Sequence, residues 1–162
     1  MKHNSNDKIM PMNQLSSLKK LVGNQRVVLV GGCFDVFHFG HLTFLQAAKE
    51  QGDILVIALE SDAFILNNKK RKPVHTQIER AQILANLLIA DFIFLLPELK
   101  SDEEYFEFTK TVSPHIIAVT RGDSQLKNKQ DQAKLVGAKV VVVTPVVKDF
   151  STTKIIHYAS QT

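Results

Sequence analysis

Cysteine and long hydrophobic runs are both scarce in this chain of 162 residues, and each scarcity excludes a class of protein. The single cysteine, Cys33, cannot form an internal disulfide, which excludes a disulfide-stabilised scaffold and fits a reducing cytoplasm. No apolar run reaches the roughly 18 residues that a membrane-spanning helix needs. Residues 1–20 contain lysines but lack the apolar centre of a signal peptide, so we expect a cytoplasmic protein without a membrane partner.

Excess charge is also small, and most of it lies at one end. The formal net charge is +4, but residues 1–20 hold four lysines against one aspartate, which leaves the rest of the chain nearly neutral. One dense basic cluster remains, KKRK at 69–72. A domain that binds duplex phosphates usually has a broader basic face, so we expect no nucleic-acid partner. With 44% hydrophobic and 22% charged residues, the composition is typical of one globular domain.

Short β-branched runs alternate with longer helical patterns along the chain. The sequence predicts strands at 26–32, 53–60, 91–96, 115–119 and 138–144. It predicts helices at 41–52, 76–90, 102–112, 125–137 and 151–159, with Thr76 and Glu79 as a capping box. This alternation predicts an α/β fold, a single-domain Rossmann-like doubly wound parallel sheet of about five strands with helices on both faces. We expect residues 1–24 to form a mobile tail and a short helix, and residues 25–162 to form the domain.

The segment after the first predicted strand, GGCFDVFHFGH, lies where ligands bind in such folds. Its glycine spacing matches neither the dinucleotide fingerprint nor the P-loop. His38 and His41 are three residues apart at the start of a helix, so both imidazoles share a face near its positive end and would clamp a phosphate. Gly40 between them lets a ligand approach the backbone. Two other interpretations stay open: surface or capping histidines, or zinc ligation together with Cys33 and Asp35.

A second anion site is indicated by DFSTTK near the carboxyl end. Ser151 is a natural N-cap, and the amides of Thr152 and Thr153 would point out of the first helical turn. The segment follows the fifth predicted strand, so it would open on the same edge of the sheet as the histidine pair. A plain capped helix is the alternative.

The basic cluster and Arg80 each allow more than one interpretation. Lys70 and Arg71 belong to a run that fits a solvated loop, a nuclear-localisation signal or a flexible lid that closes on a polyphosphate. Arg80 lies in the first turns of a predicted helix, where its charge is unfavourable for the helix dipole. That position indicates either a ligand-facing role or a surface ion pair.

Taken together, GCFDVFHFGH, SDAF, RKPV followed by ERAQIL, and STTKII resemble the cytidylyltransferase-like nucleotidyltransferases of the HxGH superfamily, over about residues 26–158. Among relatives, the pattern is most similar to heptose-1-phosphate adenylyltransferases and glycerol-3-phosphate cytidylyltransferases. The resemblance implies transfer of a nucleoside monophosphate from ATP or CTP, with ATP favoured, to a small phosphorylated acceptor such as a sugar phosphate. Pyrophosphate would be released without a covalent enzyme intermediate. It also implies a Mg²⁺ ion held mainly by the phosphates, no protein metal site, and compatibility with a homodimer.

The resemblance further assigns roles to individual residues. The catalytic set would be His38, His41 and Lys49. The nucleotide and its phosphates would be bound by Gly32, Cys33, Phe34, Gly40, Arg121, Gly122, Asp123, Ser151, Thr152 and Thr153. The acceptor side or the lid would contain Asp35, Lys70, Arg71 and Arg80.

Two positions before STTKII depart from the pattern of this family. Val146 stands where the glycerol phosphate enzymes carry arginine, and Asp149 would bring a negative charge beside the phosphates. These departures support an alternative of another class, a nucleotide-binding module without catalysis, whereas the intact HxGH and STTK motifs favour an enzyme. They also leave open a cytidylyltransferase that uses CTP and a polyol phosphate.

Overall fold

A computed structural model describes residues 5–144 and 151–161 of the chain. Its strands are β1 (Ile9–Met10), β2 (Val27–Gly32), β3 (Ile54–Leu59), β4 (Phe92–Leu95), β5 (Ile116–Thr120) and β6 (Lys139–Thr144). Its helices are α1 (Leu18–Val22), α2 (Phe39–Lys49), α3 (Asp62–Lys69), α4 (Gln77–Ala85), α5 (Asp102–Val112), α6 (Leu126–Val136) and α7 (Thr152–Ala159). Two 3₁₀ helices, Ser5–Lys8 and Met12–Ser17, flank β1. Across the described ranges, none of the helices has the length and apolar character needed to cross a membrane.

The strands form one parallel sheet in the order β1-β4-β3-β2-β5-β6, which confirms the predicted Rossmann-like α/β fold. From β2 the chain adds β3 and β4 on one side, then crosses over to add β5 and β6 on the other. The connections that leave β2 and β5 therefore run in opposite directions. Ligands of such sheets bind at this reversal, outside the carboxyl ends of the strands.

The pairing between β2 and β5 is much shorter than the pairing between β2 and β3. All six residues of β2 pair with β3, but the partners between β2 and β5 are two: Val28 with Ile116, and Leu29 with Ile117. The carboxyl halves of β2 and β5 thus separate, and Gly31 is exposed although it belongs to a central strand. A crevice opens at the point where the strand order reverses.

Helices cover both faces of the sheet, as the alternating pattern predicts. On one face, α2 and α4 bring Leu45 and Leu84 against Ile57 and its neighbours in β2 and β3. On the other face, α1 and α5 pack Leu18 and Phe108 against residues of β2, β3 and β4, while α6 covers β5. Burial of each large aliphatic side chain contributes about 1.5–3 kcal/mol, so these layers hold the strand ends, and hence the crevice, in place. The predicted capping box at the start of α4 is also confirmed.

Residues 5–22 form a short strand and helices that pack on the sheet. Ile9 and Met10 pair in parallel with β4, which makes the sheet six-stranded rather than five-stranded. Four side chains of this segment are buried in the core: Met10, Leu15, Leu18 and Val22. The apolar residues at positions 15, 18 and 22 lie at helical spacing, so they form a stripe that docks on the sheet.

Candidate active site

A cavity of about 1070 Å³ occupies the crevice at the carboxyl edge of the sheet. It is lined by residues 31–34 at the end of β2 and just after it, by Glu60 after β3, by Tyr105 of α5, by residues 123–125 before α6 and by Thr152 and Thr153 of α7. Loops that follow three different strands therefore meet in one place. This is where the sequence predicts the ligand.

The two histidines of the HxGH segment stack on each other. Their ring centroids lie 3.8 Å apart at an interplanar angle of 19°, so both rings occupy one face of the helix start, as their spacing predicts. His38 is the N-cap of α2, and its Nδ1 accepts a hydrogen bond from the backbone amide of His41 at 3.4 Å. Since Nδ1 acts as an acceptor, the proton of neutral His38 belongs on Nε2, where it is available to a ligand. Gly40 forms the first turn between them.

His41 lines the cavity in an apolar setting. Its ring lies between those of Phe34 and Phe37, with centroids 5.2 and 5.6 Å away. Burial and, to a smaller extent, the neighbouring His38 lower the pKa of His41 to about 3, against a raising effect from Asp35. Burial also lowers the pKa of His38. The His41 ring is therefore neutral at pH 7. Its buried Nδ1 has no hydrogen-bond partner among the described residues, as expected of a group that a ligand completes.

Asp35 connects three parts of the site from a fully buried position. Its carboxylate accepts hydrogen bonds from Arg71 and from the backbone amides of Val74 and His75. Its backbone carbonyl accepts a hydrogen bond from Thr152 Oγ1 at 2.7 Å. Burial alone would raise the pKa of Asp35, but these hydrogen bonds and the Arg71 charge lower it overall. Asp35 therefore ties both the basic loop and the start of α7 to the HxGH segment.

The backbone on each side of Asp35 is strained. Phe34 has a φ of 48° and Val36 a φ of 51°, values that bulky side chains rarely adopt. Each such residue costs of the order of 1–3 kcal/mol and persists only where the surroundings enforce it. Phe34 is buried against His41, and the many bonds to Asp35 hold the turn between them. In this strained turn the Asp35 carboxylate faces Arg71 and the backbone amides of the basic loop.

The start of α7 faces the same cavity as the start of α2. Ser151 caps α7 as predicted, and its hydroxyl accepts a hydrogen bond from the amide of Lys154 at 3.2 Å. Thr152 and Thr153 line the cavity. Two helix N-termini, each the positive end of a helix dipole, thus open on one volume, which suits a polyphosphate. The two departures noted before STTKII, Val146 and Asp149, lie outside the described residues.

The basic cluster divides into residues that reach the cavity and one that does not. Lys69 and Arg71 line the cavity, whereas Lys70 is exposed, adopts a left-handed conformation at the end of α3 and does not line it. Arg71 is bound to the Asp35 carboxylate and retains 26% of its side-chain exposure. The loop is therefore attached to the HxGH segment through Arg71, and its role as a flexible lid stays a prediction.

Arg80 is the clearest correction to the predicted site. Its side chain is completely buried, and all three of its donor nitrogens are bound within the protein. Nη1 donates to the carbonyl of Cys33, Nη2 to the carboxylate of Asp62 at 2.7 Å, and Nε to the carbonyl of His75 at 3.2 Å. Three of its five N–H groups are used in these bonds, and the buried side chain does not line the cavity where an acceptor or a phosphate would bind. Through the hydrogen bond to Cys33, Arg80 stabilises the turn after β2 from the interior of the protein.

Lys49 is a second correction, because it lies at the opposite edge of the sheet. Its ammonium group forms an ion pair with Asp91 and a hydrogen bond to the carbonyl of Asp53, both near the amino ends of strands. Lys49 is the last residue of α2, which has 11 residues and is therefore about 15 Å long. Since the histidines are at the first turn, the structure does not bring Lys49 to them.

The segment after β5 contributes Asp123 to the cavity. The carboxylate of Asp123 accepts hydrogen bonds from Lys129 Nζ at 2.7 Å and from the Gln125 amide at 2.8 Å. Gly122 has a φ of 79°, which a glycine adopts without strain, and this turn directs Asp123 toward the cavity. Arg121 and Gly122 are themselves exposed and do not line it.

Cys33 lies on the cavity wall but is not a reactive thiol. Burial raises its pKa to about 11, with a smaller contribution from Glu60, so the thiol is protonated at pH 7. The zinc interpretation grouped Cys33 with Asp35 and the two histidines. Among the described residues, no three histidine, cysteine or acidic side chains are arranged to hold a metal ion. The oxygens of Asp35 are instead occupied by Arg71 and backbone amides.

Glu60 and Tyr105 line the cavity and were not singled out from the sequence. Glu60 is 8% exposed, and both of its carboxylate oxygens lie 3.1 Å from the donating hydroxyl of Tyr105. Burial raises the pKa of Glu60 to about 7, and burial together with Glu60 raises the pKa of Tyr105. The available signal for Glu60 is its position directly after a strand. Tyr105 lies in a helix, where no comparable signal exists.

Comparison with known proteins gives a consistent result. The family model described as cytidylyltransferase-like matches residues 29–158. Three relatives carry the name bifunctional protein HldE. That of Nitratiruptor sp. is 36% identical over 82% of this chain and 27% of its own length. Those of Campylobacter jejuni and Helicobacter hepaticus are 32% and 33% identical over 93% of this chain and 31% and 30% of their own lengths. The chain thus spans about a third or less of these relatives.

Solved structures show the same fold. A lipopolysaccharide core biosynthesis protein from Thermoplasma volcanium superposes with a TM-score of 0.60 at 24% identity, over 75% of this chain and 96% of that one. The pantoate-beta-alanine ligase from Francisella tularensis, crystallised with beta-gamma ATP and beta-alanine, superposes with a TM-score of 0.63 at 17% identity. This match covers 94% of this chain and 76% of the ligase.

Proposed function

The chain belongs to the cytidylyltransferase-like family of nucleotidyltransferases, and from this premise we propose that it transfers AMP from ATP to a sugar phosphate and releases pyrophosphate. One observation carries the proposal: His41, which stacks on His38, and the first turn of α7 line a common cavity. A triphosphate needs this combination of neutral donors and helix N-termini. The preference for ATP and for a sugar phosphate rests on the resemblance to heptose-1-phosphate adenylyltransferases.

The phosphates would bind between α2 and α7. The hydroxyl and amide of Thr153 and the first-turn amide of Thr152 offer donors on one side. The neutral imidazoles of His38 and His41 offer N–H donors on the other side. Lys69 and Arg71 add positive charge at the rim of the cavity. A bound triphosphate would therefore be surrounded by hydrogen-bond donors. Because the imidazoles are neutral, the site holds no buried imidazolium before the triphosphate binds.

The chemistry asks for positioning and charge stabilisation. An oxygen of the acceptor phosphate attacks the α-phosphorus in line, and the bond from the α-phosphorus to the bridging oxygen breaks. The electron pair leaves with pyrophosphate. Negative charge grows on the phosphate oxygens during this step, and fixed donors such as the His41 N–H stabilise it there. Neither the nucleophile nor the leaving group needs a covalent bond to the protein.

A Mg²⁺ ion fits this site as a companion of the phosphates. Magnesium typically keeps several waters and is held through nucleotide phosphates with one or two carboxylates, so a dedicated cage of side chains is not required. When bound, it would neutralise charge on the triphosphate. Asp123 is a cavity carboxylate in the segment that the resemblance assigns to nucleotide binding, and it would be available to hold the ion.

The test is pyrophosphate release with ATP and CTP supplied separately, in the presence of Mg²⁺. The acceptors are an aldoheptose 1-phosphate, an aldohexose 1-phosphate, glycerol 3-phosphate and, as a control, inorganic phosphate. We expect release with ATP and a sugar phosphate. Substituting His41→Ala should lower kcat by about 10²–10³, the effect of removing one transition-state donor. His157→Ala is the matched control, because His157 is an exposed histidine late in α7.

The other outcomes assign other functions. Release with CTP and glycerol 3-phosphate would make the chain a cytidylyltransferase. If no acceptor gives pyrophosphate release but calorimetry shows ATP binding, the chain would be a nucleotide-binding module without catalysis. Neither release nor binding would overturn the proposal.

A further inference from the structure

The cavity extends beyond the phosphate-binding elements into a second, differently built part. Its floor consists of side chains from three neighbouring strands and α5: Leu29, Ala58, Ile117 and Phe108. Above this apolar floor lie Glu60 and Tyr105. The floor residues belong to the sheet face that α5 and α6 cover, whereas His41 belongs to α2, which packs on the opposite face. The two parts of the cavity therefore offer different chemistry.

Glu60 has more hydrogen-bonding capacity than its neighbours use. A carboxylate can accept about four hydrogen bonds, yet within residues 5–144 and 151–161 Tyr105 is the donor that reaches it. The side chain is nonetheless almost fully buried. Tyr105 itself donates its proton to Glu60, so the lone pairs of its oxygen remain for another donor. Together the two side chains present several acceptor positions toward the cavity.

Such a pair selects for neutral donors. The pKa of Glu60 is raised to about 7, so the group is partly ionised at pH 7, and its ionised form repels a phosphate group, which has few protons to donate. An aliphatic group would leave the buried carboxylate without partners, which costs of the order of 1–3 kcal/mol. A cation is disfavoured because Lys69, Lys129 and Arg80 already act on Glu60 electrostatically. Hydroxyl groups on a carbon skeleton fit both the acceptors and the apolar floor.

We propose that Glu60 and Tyr105 form a hydroxyl-binding subsite that selects a polyhydroxylated acceptor, with the acceptor phosphate directed toward the histidines. This inference rests on the proposed function, since it assigns the unphosphorylated part of the acceptor to this side of the cavity. Glu60 and Tyr105 are specificity residues in this arrangement. They touch the substrate but not the reacting atoms.

The composition of the chain provides a direct reporter. The protein has no tryptophan and two tyrosines, Tyr105 and Tyr158. Tyr158 is 69% exposed and lies late in α7. In a Tyr158→Phe background, the tyrosine absorbance band therefore comes from Tyr105, because the phenylalanines absorb at shorter wavelength. Two probes are compared: an aldoheptose 1-phosphate, and cyclohexyl phosphate, which carries a similar phosphate on a ring without hydroxyls.

We expect the heptose phosphate to perturb the Tyr105 spectrum and, by calorimetry, to bind at least tenfold more tightly than cyclohexyl phosphate. Glu60→Gln keeps the size of the side chain. We expect Glu60→Gln and Tyr105→Phe each to reduce this discrimination by roughly tenfold, the upper value for one hydrogen bond. Glu50→Gln is the matched control, because Glu50 is exposed at the end of α2. Should Glu60→Gln fail to fold, Tyr105→Phe provides the same comparison.

Three results would overturn the inference. These are equal binding of the two probes, unchanged discrimination in both variants, and the absence of any Tyr105 response to the heptose phosphate. The absence of a Tyr105 response would overturn the subsite even if pyrophosphate release establishes the transfer reaction. Conversely, a Tyr105 response without pyrophosphate release supports the subsite and rejects the proposed transfer, so the two failures are distinguishable.

Discussion

Replacing Asp35 with asparagine should destabilise the protein more than any exposed carboxylate substitution. The wild-type carboxylate is 1% exposed and receives hydrogen bonds from Arg71 and from the amides of Val74 and His75. Asparagine has nearly the same shape but one acceptor oxygen. Its amide group would face a donor on the other side, and the positive charge of Arg71 would lose its partner.

The expected size follows from the geometry. Removing one partner of a buried ion pair costs about 3–5 kcal/mol. Because Arg71 keeps 26% of its side-chain exposure, water compensates part of its charge, and we expect a loss of about 3 kcal/mol. For a chain of this length each kcal/mol corresponds to roughly 2–4 °C, so Tm should fall by roughly 6–12 °C.

The assay is urea unfolding followed by circular dichroism, with Asp131→Asn as the matched control. Asp131 is 54% exposed and forms surface pairs with Lys127 and Lys134, so its substitution should change the free energy of unfolding by less than about 1 kcal/mol. Since the pKa of Asp35 is lowered on folding, its contribution is complete above its unfolded pKa and is lost as pH falls through the lower, folded value. The difference between wild type and Asp35→Asn should therefore shrink below about pH 4. A difference under 1 kcal/mol at pH 7 would refute the reasoning.

Three further predictions concern Arg80, Lys49 and His41. Arg80→Met should lower the free energy of unfolding by about 3 kcal/mol, because it leaves the Cys33 carbonyl and the Asp62 carboxylate without their buried donor; a raised acceptor KM at unchanged stability would instead indicate ligand contact. Lys49→Met should cost about 1 kcal/mol and leave kcat and KM for ATP unchanged, since its ion pair with Asp91 is partly exposed and remote from the cavity; a tenfold fall in kcat would contradict the placement. His41 stays neutral in the folded protein down to about pH 3, whereas the unfolded chain protonates it below about pH 6.5. Its contribution therefore destabilises the fold by about 2 kcal/mol between pH 7 and pH 5, and urea unfolding of His41→Ala should show a correspondingly flatter pH dependence; parallel pH profiles would exclude a buried neutral imidazole.

The sheet and the phosphate-binding elements could be predicted because their signals are local. The spacing of His38 and His41 fixes their common face within one turn, and Ser151 needs only its own helix to act as a cap. Five of the six strands in the described residues are apolar runs long enough to recognise. The sixth, Ile9–Met10, has two residues, so its pairing depends on β4 and not on its own sequence.

The positions of Lys49, Arg80, Glu60 and Tyr105 relative to the cavity depend on the folded chain. The spacing of residues in the sequence gives neither their distance from the cavity nor their burial. Lys49 is in the same helix as the histidines but at its other end. Arg80 is in the expected helix but faces the protein interior, where it binds two loop carbonyls and the carboxylate of Asp62 at the start of α3. Glu60 and Tyr105 are 45 positions apart, so their contact exists only in the folded chain.

The short strand β1 has a consequence for the order of folding. Ile9 pairs with Ile93, so forming this strand closes a loop of more than eighty residues for two rungs of a ladder. The entropy of closing such a loop is recovered only after β3, β4 and α4 already exist as a docking surface. We therefore expect the segment to join the sheet late during refolding and to exchange its amide protons sooner than β2 and β3. The two ends of the sheet would then differ in kinetic stability, although both carry parallel strands.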